Sequence, residues 1–353
     1  MSRLPRRLGL LLVQVTATLV VGAALTEAAV RILGLAPELP SQYVQYVTDP
    51  WLPHKPRPGS VIRGRATTGE FDFHYAHNSF GLRDVERPLA KPSGTFRVLG
   101  LGDSFTYGAG ATFENTFLSR LEPMLNTRPG PHPRVEVVRA GIPRYFPEAE
   151  RLFLEHYGLA WQPDLVLVAF VPNDVIDTYL GLDAIQVAPD GSLVSNYGAE
   201  LLQKLGPATL RLYTHVHMAR IPIRAYLARR YARERPVRWP EVFRPDGAHE
   251  EAWREVERQY EAMIGLARGA GAEIAFLHIP LGKSMGDASY PPRRLAEWAA
   301  RNRVAFFDAL PALSGDAGDD PSYWPRDGHP SEAGHARIAQ VVYDGIVAHH
   351  LVP

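Results

Sequence analysis

Four short stretches carry the side chains that chemistry at an ester requires. They are Gly102-Asp103-Ser104, Ala140-Gly141, Asn173-Asp174 and Asp327-Gly328-His329. A serine hydroxyl is a weak nucleophile until a base lies within hydrogen-bond reach. His329 is the candidate base, because imidazole titrates near neutral pH. Asp327 is the candidate for orienting that ring and stabilising its charged form. Attack on an ester carbonyl builds an oxyanion, which needs donors aimed at it. The backbone N–H groups of Ser104 and Gly141 and the side-chain amide of Asn173 are the candidate donors. A glycine at 141 would let substrate approach backbone closely. Asp103 is expected to bond locally and hold the turn that carries Ser104. Each stretch also has a plain structural explanation. Gly-Asp-Ser arises by chance in roughly one chain in ten of this length. Asn173-Asp174 can cap a helix, and Asp327-Gly328 can be an ordinary turn. Order and placement separate the readings, since each stretch falls at a different element boundary.

The elements that must position these residues are legible as apolar runs. Phe96–Leu101, Arg134–Val138, Asp164–Phe170, Glu273–Ile279 and Val304–Phe307 are predicted as strands. Helical patterns cover Glu114–Leu125, Pro147–Tyr157, His249–Ala270, Pro292–Arg301 and Ser331–His349, with Ser331 as N-cap. Strands alternating with helices predict an α/β fold with an open parallel sheet of roughly five strands. Ligands bind such sheets beyond the carboxyl ends of the strands. Ser104, Gly141, Asn173 and the Asp327/His329 pair are therefore expected to meet on one edge, as acyl transfer at a serine requires.

Composition narrows the field. The 353 residues carry zero net charge and no cysteine. That removes a global electrostatic case for nucleic acid, and it removes disulfides and thiol nucleophiles. No cofactor or metal is expected. His74 and His77 flank Tyr75 and Ala76 with no third ligand at a metal-binding spacing. His215, His217 and His335 are read as structural, and Asp308 as a turn cap. Arg3, Arg6 and Arg7 precede an apolar run from Leu8 to Leu25. Its 18 residues span roughly 27 Å, close to a bilayer core. The positive flank puts the N-terminus inside and the rest outside. An uncleaved anchor, a cleaved signal peptide and a buried helix are the three readings of this run. Residues 1–36 form the anchor or signal segment, 37–94 an N-terminal extension, and 95–353 the main domain. Within the extension, Phe71, Phe73 and Tyr75 alternate with polar residues, which predicts a strand or hairpin, and Asn78-Ser79-Phe80-Gly81 predicts a turn. Residues 178–246 read as an inserted helical cap with a basic amphipathic helix. The segment carries Arg220, Arg224, Arg229, Arg230, Arg233, Arg235 and Arg238. It is a solvated face, an anionic-substrate wall or a lipid-headgroup contact.

With these blocks in place, the chain resembles the SGNH/GDSL family of hydrolases. Ser104 matches the nucleophile of the first block, Gly141 the second, Asn173 the third and His329 the last. The anchor and Asn78-Ser79-Phe80-Gly81-Leu82-Arg83 are similar to a membrane-tethered bacterial branch. The resemblance implies a flavodoxin-like three-layer α/β/α fold. Two departures stand out. Val171 replaces the usual glycine before the asparagine. The Asp327-Gly328-His329 spacing is shorter than the common Asp-x-x-His and is similar to polysaccharide O-acetyltransferase relatives. The expected function is an extracytoplasmic serine esterase that removes a small acyl group, such as acetyl, from a cell-envelope carbohydrate or lipid. An O-acyltransferase fed by a multi-spanning acyl-donor partner is the alternative. A non-catalytic envelope-binding protein is the other. The expected location is the inner membrane as a single-pass protein facing the periplasm, or secretion if the segment is cleaved.

Overall fold

The computed structural model describes residues 4–33, 35–36, 44–66, 68–187, 191–195, 206–234, 236–283, 286–314 and 321–353. The strands are β1 Val61–Arg65, β2 Asp72–Ala76, β3 Thr95–Gly102, β4 Arg134–Gly141, β5 Leu165–Phe170, β6 Glu273–His278 and β7 Ala305–Asp308. The longer helices are α1 Leu4–Ile32, α2 Phe117–Asn126, α3 Pro147–His156, α4 Asn173–Leu180, α5 Pro207–His215, α6 His217–Glu234, α7 Glu250–Gly269, α8 Tyr290–Asn302 and α9 Glu332–Ala348. By packing, the chain forms two compact units. One is Gln42–Leu193 with Val237–Pro353; the other is Met1–Ser41 with Val194–Pro236.

The larger unit is built on strands β3 to β7, all parallel, in the order β4-β3-β5-β6-β7. This is the 2-1-3-4-5 order of flavodoxin-like sheets, with its switch point between the first and third strands. The strands are buried on both faces, which explains why they read as continuous apolar runs. Leu99, Leu101, Val166, Val168, Phe170, Ile274 and Phe276 pack with Phe153 of α3, Trp253 and Tyr260 of α7, and Trp298 of α8. Their neighbours Val98, Val137, Leu165, Leu167, Ala169 and Leu277 pack with Leu118 and Leu121 of α2 and Ile338 and Val342 of α9. The period of two thus sorts each strand into two helix layers. All five predicted strands are present. The second runs on through Gly141, because Gly102 pairs with it in the ladder. Ser331 caps α9, accepting from the Gly334 N–H.

The extension contributes the hairpin β1–β2, as its alternation predicts. The following turn is held by Asn78, whose Oδ1 accepts from the N–H groups of Phe80 and Leu82, both at 3.0 Å. The 178–246 segment does not stay together. Residues from Val194 to Pro236 group with the N-terminal segment, whereas Val242 and Phe243 are buried in the core of the larger unit.

In the smaller unit, α1 presents an exposed apolar surface that includes Leu10, Leu11, Leu12, Leu19 and Leu25. Residues Gly9–Ile32 are long and apolar enough to cross a membrane. Its last turns are polar and engaged. The Glu27 carboxylate accepts from the His217 and Met218 N–H groups, both at 2.8 Å, and so caps α6. Arg31 pairs with Glu27 and donates to the His215 carbonyl at 2.8 Å. Arg220 is buried and donates to the Ala36 carbonyl at 3.1 Å. Arg229, Arg230 and Arg233 lie on the exposed part of α6.

Candidate active site

Strand β3 ends at Gly102, and a one-turn helix, Ser104–Tyr107, begins at once. A side chain at 102 would collide: an added Cβ would lie 2.1 Å from Thr106 Oγ1, at a φ of +155°. Asp103 caps the turn, its Oδ1 accepting from the Phe105 N–H at 2.8 Å. Its Oδ2 accepts from the Asn173 side-chain Nδ2 at 3.0 Å. Asn173 opens α4 just past β5, on the other side of the switch point. One buried carboxylate therefore joins the ends of two adjacent strands.

Ser104 Oγ lies 2.8 Å from His329 Nε2. His329 Nδ1 lies 2.5 Å from Asp327 Oδ1. Asp327 can reach across one intervening residue because Gly328 takes a left-handed φ of +88°. The His329 carbonyl accepts from the Trp324 N–H at 2.9 Å, and Tyr323 bridges to Pro330. The Phe105 ring packs on the imidazole, with centroids 5.0 Å apart. The arrangement is a hydroxyl, an imidazole and a carboxylate hydrogen-bonded in series.

Gly141 sits at the end of β4, but for a reason that the substrate-approach argument does not cover. A Cβ there would lie 2.2 Å from the Tyr107 nitrogen and 2.4 Å from the Thr106 carbonyl carbon. The glycine lets the turn carrying Ser104 pack against β4. Asn173 uses one hydrogen of its amide nitrogen on Asp103, and an amide nitrogen has two. Asp174 does not cap α4 with its side chain; its Oδ2 accepts from the Val171 N–H at 3.0 Å.

Several residues that hold the site lie outside the four blocks. Arg83 is buried and donates to the carbonyls of Tyr107, Gly108 and Ala111 at 3.0, 2.7 and 2.7 Å. It clamps the end of the nucleophile turn. Its place in the Asn78–Arg83 stretch was the available signal. Glu70, in the β1–β2 loop, accepts from the N–H groups of Arg326 and Asp327 at 2.9 and 2.8 Å. No local pattern marks it. His77 bonds Ser60 and the Tyr107 hydroxyl through its two ring nitrogens. His335 is buried; its Nδ1 accepts from the Phe117 N–H, and burial lowers its pKa to about 3.

Beneath the turn lies a group of buried acids. Burial, and then the Asp103 charge, hold Glu150 well above the usual carboxylate range. Burial, and then Glu150 and Asp103, do the same to Asp174. Burial also raises Asp103, against the Asn173 hydrogen bond that lowers it. Neither Glu150 oxygen has a hydrogen-bond partner among the described residues.

The family model for GDSL-like lipase/acylhydrolase proteins matches residues 101–337. That span runs from the end of β3 into α9 and takes in Ser104, Gly141, Asn173, Asp327 and His329. Among solved structures, the chain is similar to a protein described as lipolytic, of the G-D-S-L family, from Desulfitobacterium hafniense DCB-2. The identity is 14%, the match covers 70% of this chain and 98% of that one, and the TM-score is 0.42. It is also similar to a catalytic mutant of Axe2, an acetylxylan esterase from Geobacillus stearothermophilus. Here the identity is 16%, the coverage is 71% and 94%, and the TM-score is 0.44. No curated protein matches. By the extent of the family match, the chain belongs to the GDSL-like lipase/acylhydrolase family of ester-hydrolysing enzymes.

Proposed function

We propose that the chain is a membrane-anchored serine esterase. It removes a small acyl group, acetyl in the simplest case, from an ester-bearing carbohydrate or lipid outside the cytoplasmic membrane. One observation carries the mechanism: the unbroken series from Ser104 Oγ through His329 to Asp327, at 2.8 and 2.5 Å. His329 Nε2 takes the Ser104 proton as Oγ attacks the ester carbonyl. Asp327 keeps the Nδ1 proton in place and stabilises the imidazolium. The Ser104 and Gly141 N–H groups and the Asn173 amide receive the oxyanion. Collapse expels the alcohol, which takes its proton from His329. Water, activated by the same imidazole, then releases the acid.

The anchor reading rests on α1. Its 24-residue apolar span, Gly9–Ile32, carries Glu27 and Arg31 in its last turns, and these bind α6 and the end of α5 within one compact unit. Cleavage that removed them would leave the start of α6 uncapped. An O-acyltransferase is the second reading, favoured by the short Asp327-to-His329 spacing. A sugar hydroxyl would then replace water in the last step.

Turnover of an activated acetyl ester by Ser104→Ala tests the proposal. The expected result is loss of turnover with the fold intact, and loss of labelling by a fluorophosphonate. Full residual activity overturns it. Product analysis with a polysaccharide acceptor separates hydrolysis from transfer.

A further inference from the structure

Strand β4 runs into a tight turn, Ile142-Pro143-Arg144-Tyr145, closed by the Tyr145 N–H on the Ile142 carbonyl at 3.1 Å. Arg144 is the third residue of this turn and takes a left-handed φ of +70°. Glycine is the residue that such a position favours, so the arginine stands there against its backbone preference. The turn does not need the Arg144 side chain to hold its shape. The Ile142 N–H donates to the Gly102 carbonyl at 2.9 Å, and His54 Nε2 donates to the Pro143 carbonyl at 2.9 Å. The Tyr145 hydroxyl in turn donates to the His54 carbonyl at 2.7 Å.

The Arg144 side chain reaches across the carboxyl edge of the sheet instead. Its Nη2 lies 3.0 Å from Oδ1 of Asp177, in α4. Strand β3, which leads to Ser104, stands between β4 and β5, so the pair joins the segments that follow the two strands flanking it. Asp177 is four residues after Asn173 and lies on the same face of α4. It is buried, whereas 49% of the Arg144 side chain is exposed. Burial pushes the Asp177 carboxyl up, and the Arg144 charge and the Asn173 amide pull it back, so the three groups act on one another. Helix α4 begins without a side-chain cap, because Pro172 stands at that position. Its first turn therefore depends on contacts from outside the helix.

We propose that Arg144 is a positioning residue for the oxyanion site. The turn that carries it is fixed to Gly102 and His54, and through Asp177 it fixes the first turn of α4. The Asn173 amide is thereby held at a set distance from the Gly141 N–H, just ahead of the same turn. Oxyanion donors stabilise a developing charge only while they stay aimed at it. A half-exposed ion pair adds little to the stability of the fold, but a small displacement of a donor lowers the rate. The strut therefore counts in the transition state more than in folding. The inference rests on the serine mechanism and adds to it a residue that acts only through its neighbours.

Steady-state kinetics on an activated acetyl ester tests this. Arg144→Gln is expected to lower kcat about tenfold with KM unchanged, a fraction of what a lost oxyanion donor costs. Asp177→Asn should do the same. Arg144→Lys, which can still pair with Asp177, should recover part of the loss. Arg144→Gly should match Arg144→Gln even though glycine suits the turn, and it replaces Arg144→Gln should that variant fail to fold. In an Asn173→Ala background, removing the Arg144 side chain should cost nothing further, because the amide it positions is gone. Three results overturn the proposal: parent kcat in the Arg144 variants, a loss confined to KM, or the same tenfold loss on top of Asn173→Ala. Ser104→Ala is measured alongside. Retained turnover there removes the serine mechanism itself, whereas an inert Ser104→Ala with parent kcat in Arg144→Gly removes only the positioning role.

Discussion

Asn173 carries two duties through one amide nitrogen. It donates to Asp103 Oδ2 at 3.0 Å, and in the proposed mechanism it also faces the oxyanion. Asn173→Ala is therefore expected to lower kcat by ~10²–10³ with little change in KM, since the lost bond strengthens only as charge develops. Steady-state kinetics on an acetyl ester checks this, and a rise in KM with kcat intact would assign the residue to ground-state binding. Asp327→Asn should cut kcat by ~10⁴ at most, because the amide cannot hold the reactive tautomer of His329. A variant that still turns over at the parent rate would move the orienting role to another group. Ser104, Asn173, Asp327 and His329 were legible in the sequence because a reaction at an ester admits few side-chain types. Gly141 was legible too, but not the collision that a side chain there would make with the Thr106–Tyr107 backbone. Glu70 was not legible. It holds Arg326 and Asp327, far along the chain, and nothing local to a glutamate announces such a partner.

The elements were easier to read than their attachments. Five buried parallel strands announce themselves as apolar runs, and the 2-1-3-4-5 order puts Ser104 and Asn173 on opposite sides of the switch point. The extension was legible as a hairpin and a turn, but not as scaffold for the site. Arg83 supplies that role by binding three carbonyls past the nucleophile turn. Arg83→Met should cost roughly 3 kcal/mol, because buried carbonyls lose charged donors. It should also lower kcat as the turn loosens. Urea unfolding followed by kinetics checks both, and an unchanged midpoint would make the clamp ornamental. Beneath the turn, Glu150 has its folded pKa raised by burial. The unfolded chain releases this proton near the ordinary glutamate value while the folded chain keeps it. Stability from this group is therefore present at low pH and lost as pH rises above about 4 toward the folded pKa. Glu150→Gln removes the penalty. Its melting temperature should overtake that of the parent, by a margin that grows as pH rises above the ordinary glutamate value, about 4. A constant difference across that range would mean that Glu150 is ionised in the folded protein.

At the scale of the whole chain, the sequence leaves three readings of the N-terminal helix, and the anchor is the one proposed here. A cleaved signal peptide has no reason to bind the mature protein. Here Glu27 caps α6 through two N–H groups, and Arg31 reaches the His215 carbonyl at the end of α5. The residues that group with α1 run from Val194 to Pro236, within the segment 178–246 that reads as an insertion. If the anchor is a permanent part of this unit, its loss should expose α6. The readout is trypsin, since α6 holds five arginines and Arg220 is buried. In the full chain, held in detergent or a bilayer, the bond after Arg220 should resist cleavage. Glu27→Ala removes the cap, worth about 1 kcal/mol, and should speed cleavage within α6 roughly fivefold. Truncation of residues 1–36 should remove the protection altogether while leaving the parallel sheet folded. Equal cleavage rates in all three proteins would detach α6 from the anchor and return the cleaved signal as the better reading.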